Sequence, residues 1–234
     1  MLKELSPQSL WIAEMPFVAK GFELGARMTV VRLSNGDLFV CSPIELTPPL
    51  RSELDALGPV RYIISPNKFH FLDLPDFSRA YPDAKVYVSP QSSGKSLPGI
   101  PPRPEEPGQI ILSHAPEPAW ADDLDQIIFK GMPMVNEVIF FHKQSRTLIL
   151  TDLCFYIDES TSLLTRLLAR SLGVYKKFGP SRTVKMMIRD RRAAQSSLER
   201  IMDWDFDRII LAHGRIVESG GKASFGKAFA SFLQ

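Results

Sequence analysis

The sequence predicts a layered α/β fold, because apolar strand patterns alternate with short helical patterns along the chain. The runs at 61–65 (RYIIS) and 85–89 (KVYVS) are apolar and β-branched, and a helical pattern covers 73–81 between them. Such alternation is typical of α/β layers, and continuous apolar runs are typical of strands covered on both faces. The 234 residues, 44% of them hydrophobic, are enough for one core, so we expect a single domain over 1–234.

The N-terminal part is predicted to contain a β-hairpin and a crossover helix. Residues 28–33 (MTVVRL) and 38–41 (LFVC) flank a turn in which Asn35 and Gly36 tolerate positive φ, which is the pattern of a hairpin. A helix over 50–57 follows, because a pair of prolines precedes it and a Gly-Pro pair ends it.

The C-terminal half is predicted to contain a second hairpin followed by helices. Strand patterns at 137–141 and 147–152 flank a polar turn at 142–146, whereas the proline-rich stretch 97–108 is expected to be an irregular loop. A broad apolar helical face is formed by Leu163, Leu164, Leu167, Leu168 and Leu172. The remaining predicted elements are a strand at 126–129, a helix over 183–202, a strand at 208–213 and a closing helix over 223–233.

The composition excludes several classes of protein. The 28 basic and 26 acidic side chains leave a formal net charge of +2, which gives no support for nucleic acid as the main partner. Two cysteines, Cys41 and Cys154, are too few for a disulfide framework and are typical of a reduced intracellular protein. No apolar run could span a bilayer and the N-terminus lacks a secretory pattern, so we expect a cytoplasmic protein.

Positive charge is concentrated in residues 161–200. This segment has ten basic and two acidic side chains, and Met186, Met187 and Ile188 lie among them. Contact with a membrane surface or a partner is one interpretation, and a solvated helical face is the other. Aromatic residues are sparse in the segment, so a stacking platform for single-stranded nucleic acid is not expected. The oligomeric state is left open.

Polar side chains follow three of the predicted strands. His70 lies in the loop after the strand at 61–65, and Asp152 and His213 each follow an apolar strand directly. Ligands of layered α/β folds bind where strands pass into loops, and strand ends converge in space. Imidazole and carboxylate suit zinc, iron or manganese, so the three residues form a candidate metal site. The structural alternative for each residue is a capping or loop hydrogen bond.

Three further residues are given structural interpretations. His142 falls in the predicted polar turn and is expected to be solvated. His114 is expected to be an ordinary loop residue. Cys154 follows Asp152 by two positions and is expected to be a buried structural thiol rather than a ligand.

Short sequence words across nearly the whole chain carry a family resemblance. They are 27–33 (RMTVVRL), 42–44 (SPI), 65–67 (SPN) with His70, 81–84 (YPDA), 141–142 with 145–148, 151–153 (TDL), and 204–207 (WDFD) leading to His213. The chain resembles the metallo-β-lactamase superfamily, and more closely an uncharacterised branch of it, a domain family of unknown function. This resemblance implies a four-layer αββα sandwich of two mixed sheets with helices outside.

The chain departs from the superfamily at the ligands of the first metal. The pattern His-x-His-x-Asp-His, laid on the corresponding loop, places its two leading histidines on Pro66 and Lys68. Its aspartate falls on His70 and its last histidine on Phe71, while a further family histidine falls near Pro133. The resemblance therefore implies that the first metal site is lost.

The part of the pattern that remains is His70, Asp152 and His213, in the positions of the second metal site. This remaining set implies that the protein binds at most one metal ion, for which zinc is the first choice and iron or manganese the second. A water molecule on that ion is expected to attack an ester, lactone, amide or phosphoester. His70 and Asp152 are the expected catalytic residues, and Lys68 and Asn67 are expected to bind a small-molecule substrate or anionic ligand. The open alternative is a catalytically inactive member without metal that binds a ligand or partner.

Overall fold

The computed structural model describes residues 1–19, 21–90 and 108–233, so the predicted loop at 97–108 lies outside the described residues except for its last one. The strands are β1 (Leu2–Ser6), β2 (Leu10–Met15), β3 (Val18–Ala19), β4 (Phe22–Glu23), β5 (Ala26–Arg32), β6 (Leu38–Cys41), β7 (Val60–Ser65), β8 (Lys85–Val88), β9 (Ile110–Ile111), β10 (Leu124–Ile128), β11 (Val138–His142), β12 (Thr147–Ile149) and β13 (Arg208–Ile210). The helices are α1 (Pro48–Leu57), α2 (Leu74–Ala80), α3 (Leu163–Leu172), α4 (Arg182–Met187), α5 (Arg191–Asp203), α6 (Gly221–Ala228) and α7 (Ala230–Leu233).

Two mixed sheets form the centre of the molecule. The first has the strand order β1-β2-β5-β6-β7-β8-β9, antiparallel from β1 to β6 and parallel from β6 to β9. The second has the order β10-β11-β12-β13, in which β12 and β13 are parallel. Both predicted hairpins are confirmed, as the antiparallel pairs β5–β6 and β11–β12. α1 and α2 are the crossovers that parallel neighbours require.

The two sheets pack face to face, and helices cover their outer faces. Between the sheets, Phe39 of β6 meets Phe140 of β11 with ring centroids 5.1 Å apart, and Trp120 packs edge-on against Phe39. α1 and α2 bury Leu54 and Phe77 on the outer face of the first sheet. α5, α6 and α7 pack in the same way on the second sheet. The fold is therefore the αββα sandwich that the sequence analysis predicts.

The helix predicted over 183–202 is two helices, α4 and α5, because the chain turns at 188–190. The backbone N–H of Arg189 donates to the carbonyl of Gly131 at 2.8 Å, outside any helical pattern. The Asp190 side chain then caps α5 by accepting from the N–H of Ala193 at 3.0 Å. The closing helix is likewise divided, since α6 ends before Phe229 and α7 follows.

The apolar face of α3 packs only in part. Leu168 and Leu172 are half-buried, whereas Leu163, Leu164 and Leu167 are 66%, 56% and 54% exposed. The helical prediction is correct, but its periodicity did not show which leucines the core covers. Within the described residues, no helix is long and apolar enough to cross a membrane.

The prediction that His142 is solvated is wrong. His142 is the last residue of β11 and has no exposed surface, because its ring packs beneath the turn instead of pointing away from it. Its Nδ1 lies 2.7 Å from Ser145 Oγ, and within the described part of the chain its Nε2 has no hydrogen-bond partner. Burial, opposed by the charge of Asp123, lowers the pKa of His142 to about 4.

We expect the free energy of unfolding to decrease as the pH falls from about 6.5 to about 4. In this window the unfolded chain binds a proton at His142 that the folded chain excludes, and the full effect is at most about 3 kcal/mol. Urea unfolding of the wild type and of His142→Gln across this window measures the effect as the difference between the two curves. An identical pH dependence for both proteins would contradict it.

Candidate metal centre

The three predicted ligand residues meet at one end of the sandwich. His70 follows β7 of the first sheet, and Asp152 and His213 follow the parallel neighbours β12 and β13 of the second. One potential donor atom of each residue lies within 4.8 Å of the other two. The sheet ends therefore converge as the sequence analysis expects, and the cluster is a candidate metal site.

Asp152 lies at the centre of this cluster. Its Oδ2 is 3.1 Å from His70 Nε2 and accepts a hydrogen bond from Asn67 Nδ2 at 2.6 Å, while its Oδ1 is 3.6 Å from His213 Nε2. Burial by itself would raise the pKa of Asp152. The charge and hydrogen bond of His70 and the charge of His213 outweigh burial and lower the pKa to about 2. The carboxylate is therefore ionised between two imidazoles.

His213 presents one defined nitrogen to the cluster. Its Nδ1 is 2.6 Å from the carbonyl oxygen of Gly25, and because a carbonyl only accepts, Nδ1 carries the proton. Nε2 then keeps its lone pair, which is the form that binds metals. Burial, opposed by the charge of Asp152, lowers the pKa of His213 and favours this neutral form. The rings of Phe17 and Phe155 stack on the imidazole.

His70 is anchored by a serine that follows β6. Ser42 Oγ lies 2.6 Å from His70 Nδ1, and Ser42 has a φ of 57°, in the left-handed region. Burial by itself would lower the pKa of His70, but the charge and hydrogen bond of Asp152 and the charge of Glu137 raise it. The protein therefore favours positive charge at the Nε2 that faces Asp152.

A buried arginine fixes the loop that carries His213. Arg27 of β5 donates to the carbonyl of Leu211 and, at 2.6 Å, to that of Gly214. It also pairs with Glu14. Because its two carbonyl partners lie on either side of His213, Arg27 is a positioning residue for this imidazole.

Glu137 is a second buried carboxylate, and it was not predicted as a site residue from the sequence. It accepts hydrogen bonds at 2.8 Å from the backbone N–H groups of Thr151, Asp152 and Leu153. Burial and then the charge of Asp152 raise the pKa of Glu137 to about 7, against the lowering effect of the backbone bonds. Glu137 thus holds the loop that presents Asp152. The available signal was an acidic residue directly before the apolar run 138–141.

The two predicted substrate-binding residues lie beside the cluster in different environments. Asn67 is fully buried, and its Oδ1 accepts from the backbone N–H of His70 at 3.2 Å while its amide donates to Asp152. Asn67 therefore ties two members of the cluster together. Lys68 Nζ donates to the carbonyl of Pro133 at 3.0 Å. Substrate contact by either side chain stays a prediction.

Three other residues that the sequence singles out lie outside the cluster. Phe71, which occupies a family ligand position, packs in the outer core of the first sheet. Cys154 is buried in the outer core of the second sheet, and burial raises its pKa well above the usual value, so it remains a neutral thiol. His114 lies away from the cluster and contacts Arg200.

The donor set of the cluster fits one divalent transition metal. Two imidazoles and an ionised carboxylate are the ligands that zinc, iron and manganese take in proteins. The backbone bond of His213 already fixes the tautomer that a ligand requires. Three protein donors with one position left for water or substrate is the arrangement of catalytic zinc sites.

Comparison with known protein families assigns the chain to one of them. Residues 7–194 match the family model described as "Domain of unknown function (DUF4336)". A search of curated proteins finds no match.

Similar solved structures are metallo-β-lactamases. One from Pontibacter korlensis is 11% identical over 100% of this chain and 99% of its own, with a TM-score of 0.62. FIM-1 from Pseudomonas aeruginosa, in its mono-zinc form, is 9% identical over 100% and 96%, with a TM-score of 0.60. Another from Erythrobacter litoralis is 11% identical over 99% and 91%, with a TM-score of 0.62. The chain belongs to the DUF4336 family, a domain family of unknown function, and it has the metallo-β-lactamase fold.

Proposed function

We propose that the protein is a metal-dependent hydrolase with one metal ion, held by His70, Asp152 and His213. The observation that carries this proposal is the convergence of their donor atoms within 4.8 Å at the end of the two sheets. Zinc suits the two imidazoles and the carboxylate, and iron or manganese is the second choice. The substrate is a carboxylic or phosphoric ester, a lactone or an amide.

The chain itself orients the reacting groups. His213 and His70 are fixed by Gly25 and Ser42, and Asp152 is fixed by Asn67. We assign Asp152 as the acceptor of the proton that the attacking water releases, because its carboxylate lies at the centre of the cluster between the two imidazoles. A zinc ion bound by these residues would act as a Lewis acid and would lower the pKa of water toward neutrality.

We expect protein purified without added metal to contain about one zinc, iron or manganese ion per chain. A chelator is then expected to remove it, to lower the midpoint of thermal unfolding and to abolish hydrolysis of a panel of esters, lactones and amides. Elemental analysis and thermal unfolding measure these effects. Absence of metal, with an unchanged unfolding midpoint under chelator, would overturn the proposal.

The second candidate is a binding module without catalysis. The observation that favours it is the segment 161–200, in which ten basic side chains accompany the exposed Leu163, Leu164 and Leu167 of α3. Exposed leucines among cations suit an anionic membrane surface or an acidic partner protein. Hydrolysis of any member of the substrate panel distinguishes the first candidate from this one.

A further inference from the structure

An apolar cavity lies beside the candidate metal centre. It has a volume of about 230 Å³, is partly open to solvent, and lies between α3, α4 and the chain around β4. Leu168 and Leu172 of α3 form one wall, and Val184 and Met187 of α4 form another. Asp152 lines it as well, so the cavity and the cluster share a residue.

Two aromatic side chains also connect the cavity to the cluster. Phe155 lines the cavity and stacks on His213, with ring centroids 6.1 Å apart and planes 7° from parallel. Phe69, another lining residue, directly precedes His70. A molecule that fills the cavity therefore contacts Asp152, and the other two donor residues lie next to Asp152 in the cluster.

The cavity offers little to a polar molecule. Among the described residues that line it, Asp152 is the one charged side chain. The hydroxyl of Thr165 accepts from the backbone N–H of Glu23 at 2.9 Å, and that of Ser181 accepts from the N–H of Val184 at 3.1 Å. Because these two hydroxyls already accept hydrogen bonds and the third, that of Thr183, is at an exposed position, the main favourable interaction that the cavity offers is burial of hydrocarbon.

The volume limits the size of that hydrocarbon. An apolar cavity of roughly 150 Å³ holds one benzene molecule, so by proportion a cavity of about 230 Å³ holds roughly eight or nine carbon atoms. Eight of the sixteen described lining side chains are aliphatic and three are aromatic, which suits a flexible chain better than a stack of rings.

We propose that this cavity, here called the acyl cavity, binds the medium-length acyl chain of a carboxylic ester or amide, with the carbonyl carbon beside Asp152, His70 and His213. The inference names the substrate class of the same site and rests on the proposed hydrolase function. In the reaction, the oxygen of water bonds to the acyl carbon while the bond to the leaving oxygen or nitrogen breaks. The leaving group takes one proton of the water, the other is released to solvent, and the chain departs as a carboxylate.

Binding is tested with octan-1-ol, a neutral probe that needs neither metal nor catalysis. Calorimetric titration is expected to show one saturable site for octan-1-ol and no saturable binding of ethanol. Leu168→Trp and Thr183→Trp fill the cavity and are expected to weaken binding at least about tenfold. Ser171→Trp lies on the exposed side of α3 and is expected to change it less than about twofold.

Thermal unfolding of each variant is the test of whether it is folded. Because Thr183 is exposed, its substitution is expected to disturb the fold less than that of Leu168. Failure of octan-1-ol to bind would overturn the acyl cavity. The acyl cavity would also be overturned if Ser171→Trp weakened octan-1-ol binding as much as Leu168→Trp and Thr183→Trp do.

Hydrolysis separates this inference from the proposed function. The wild type is expected to cleave 4-nitrophenyl octanoate with a kcat/KM at least about tenfold above that for 4-nitrophenyl acetate, since binding of the chain lowers the barrier. Equal rates for both esters would overturn the acyl cavity and leave the hydrolase function standing. Octan-1-ol binding without hydrolysis of either ester or of any member of the substrate panel would overturn the hydrolase function and leave the cavity as an apolar binding site.

Discussion

A His213→Ala variant is expected to lose its metal and its hydrolytic activity while it keeps its fold. Alanine removes one of three donor residues, and the two that remain hold a divalent ion far more weakly. We expect the metal content to fall from about one ion to below about one tenth per chain, as measured by elemental analysis.

The matched control for this variant is His114→Ala, because His114 lies away from the cluster and contacts Arg200. It is expected to retain wild-type metal content and activity. Removal of the His213 ring also leaves a gap between Phe17 and Phe155, which costs about 1–3 kcal/mol of unfolding free energy with chelator present. Full metal content in His213→Ala would exclude His213 as a ligand.

A Glu137→Ala variant is expected to lose about 3–5 kcal/mol of unfolding free energy. The substitution leaves the N–H groups of Thr151, Asp152 and Leu153 without their acceptor in a buried place and opens a void behind them. Guanidinium unfolding followed by tryptophan fluorescence, with chelator present, measures the loss without a contribution from metal.

Glu137→Gln is the conservative companion of this variant. Glutamine keeps the volume but replaces one acceptor oxygen with a donor that faces backbone N–H groups, so we expect an intermediate loss of about 2–3 kcal/mol. The loop that presents Asp152 is also expected to loosen, and metal affinity to fall about 10–100-fold. A loss below about 1 kcal/mol in Glu137→Ala would show that these backbone groups find other partners.

Much of the fold could be predicted from the sequence because local chemistry determined it. The Asn35-Gly36 turn favours a tight hairpin, and the register of β5 and β6 agrees with it. The apolar runs before His70, Asp152 and His213 identified strands, and polar residues directly after them, or in the loop that follows in the case of His70, identified candidate ligands. The parallel direction of β12 and β13 and the face-to-face packing of the two sheets then bring these ends together, so three distant residues could be placed at one site.

Other features depended on contacts that leave no periodic pattern. The break between α4 and α5 comes from the backbone bond of Arg189 to Gly131, a residue far away in the sequence. His142 is in a polar segment, yet packing beneath the turn buries it completely. The positions of Arg27 and Glu137 around the cluster also required the structure, because each acts on backbone groups of another strand or loop.

The sequence by itself determined the two hairpins β5–β6 and β11–β12, the crossover helices α1 and α2, the αββα class through its family resemblance, and the three polar residues that follow strands. Only the tertiary structure decided how those residues are held, which leucines of α3 face solvent, and that an apolar cavity lies beside Asp152. The physical reason is the distance along the chain over which each interaction acts. Secondary structure follows from interactions between near neighbours, whereas burial, cavities and the hydrogen bonds that hold the cluster residues depend on the packing of segments that are far apart in the sequence.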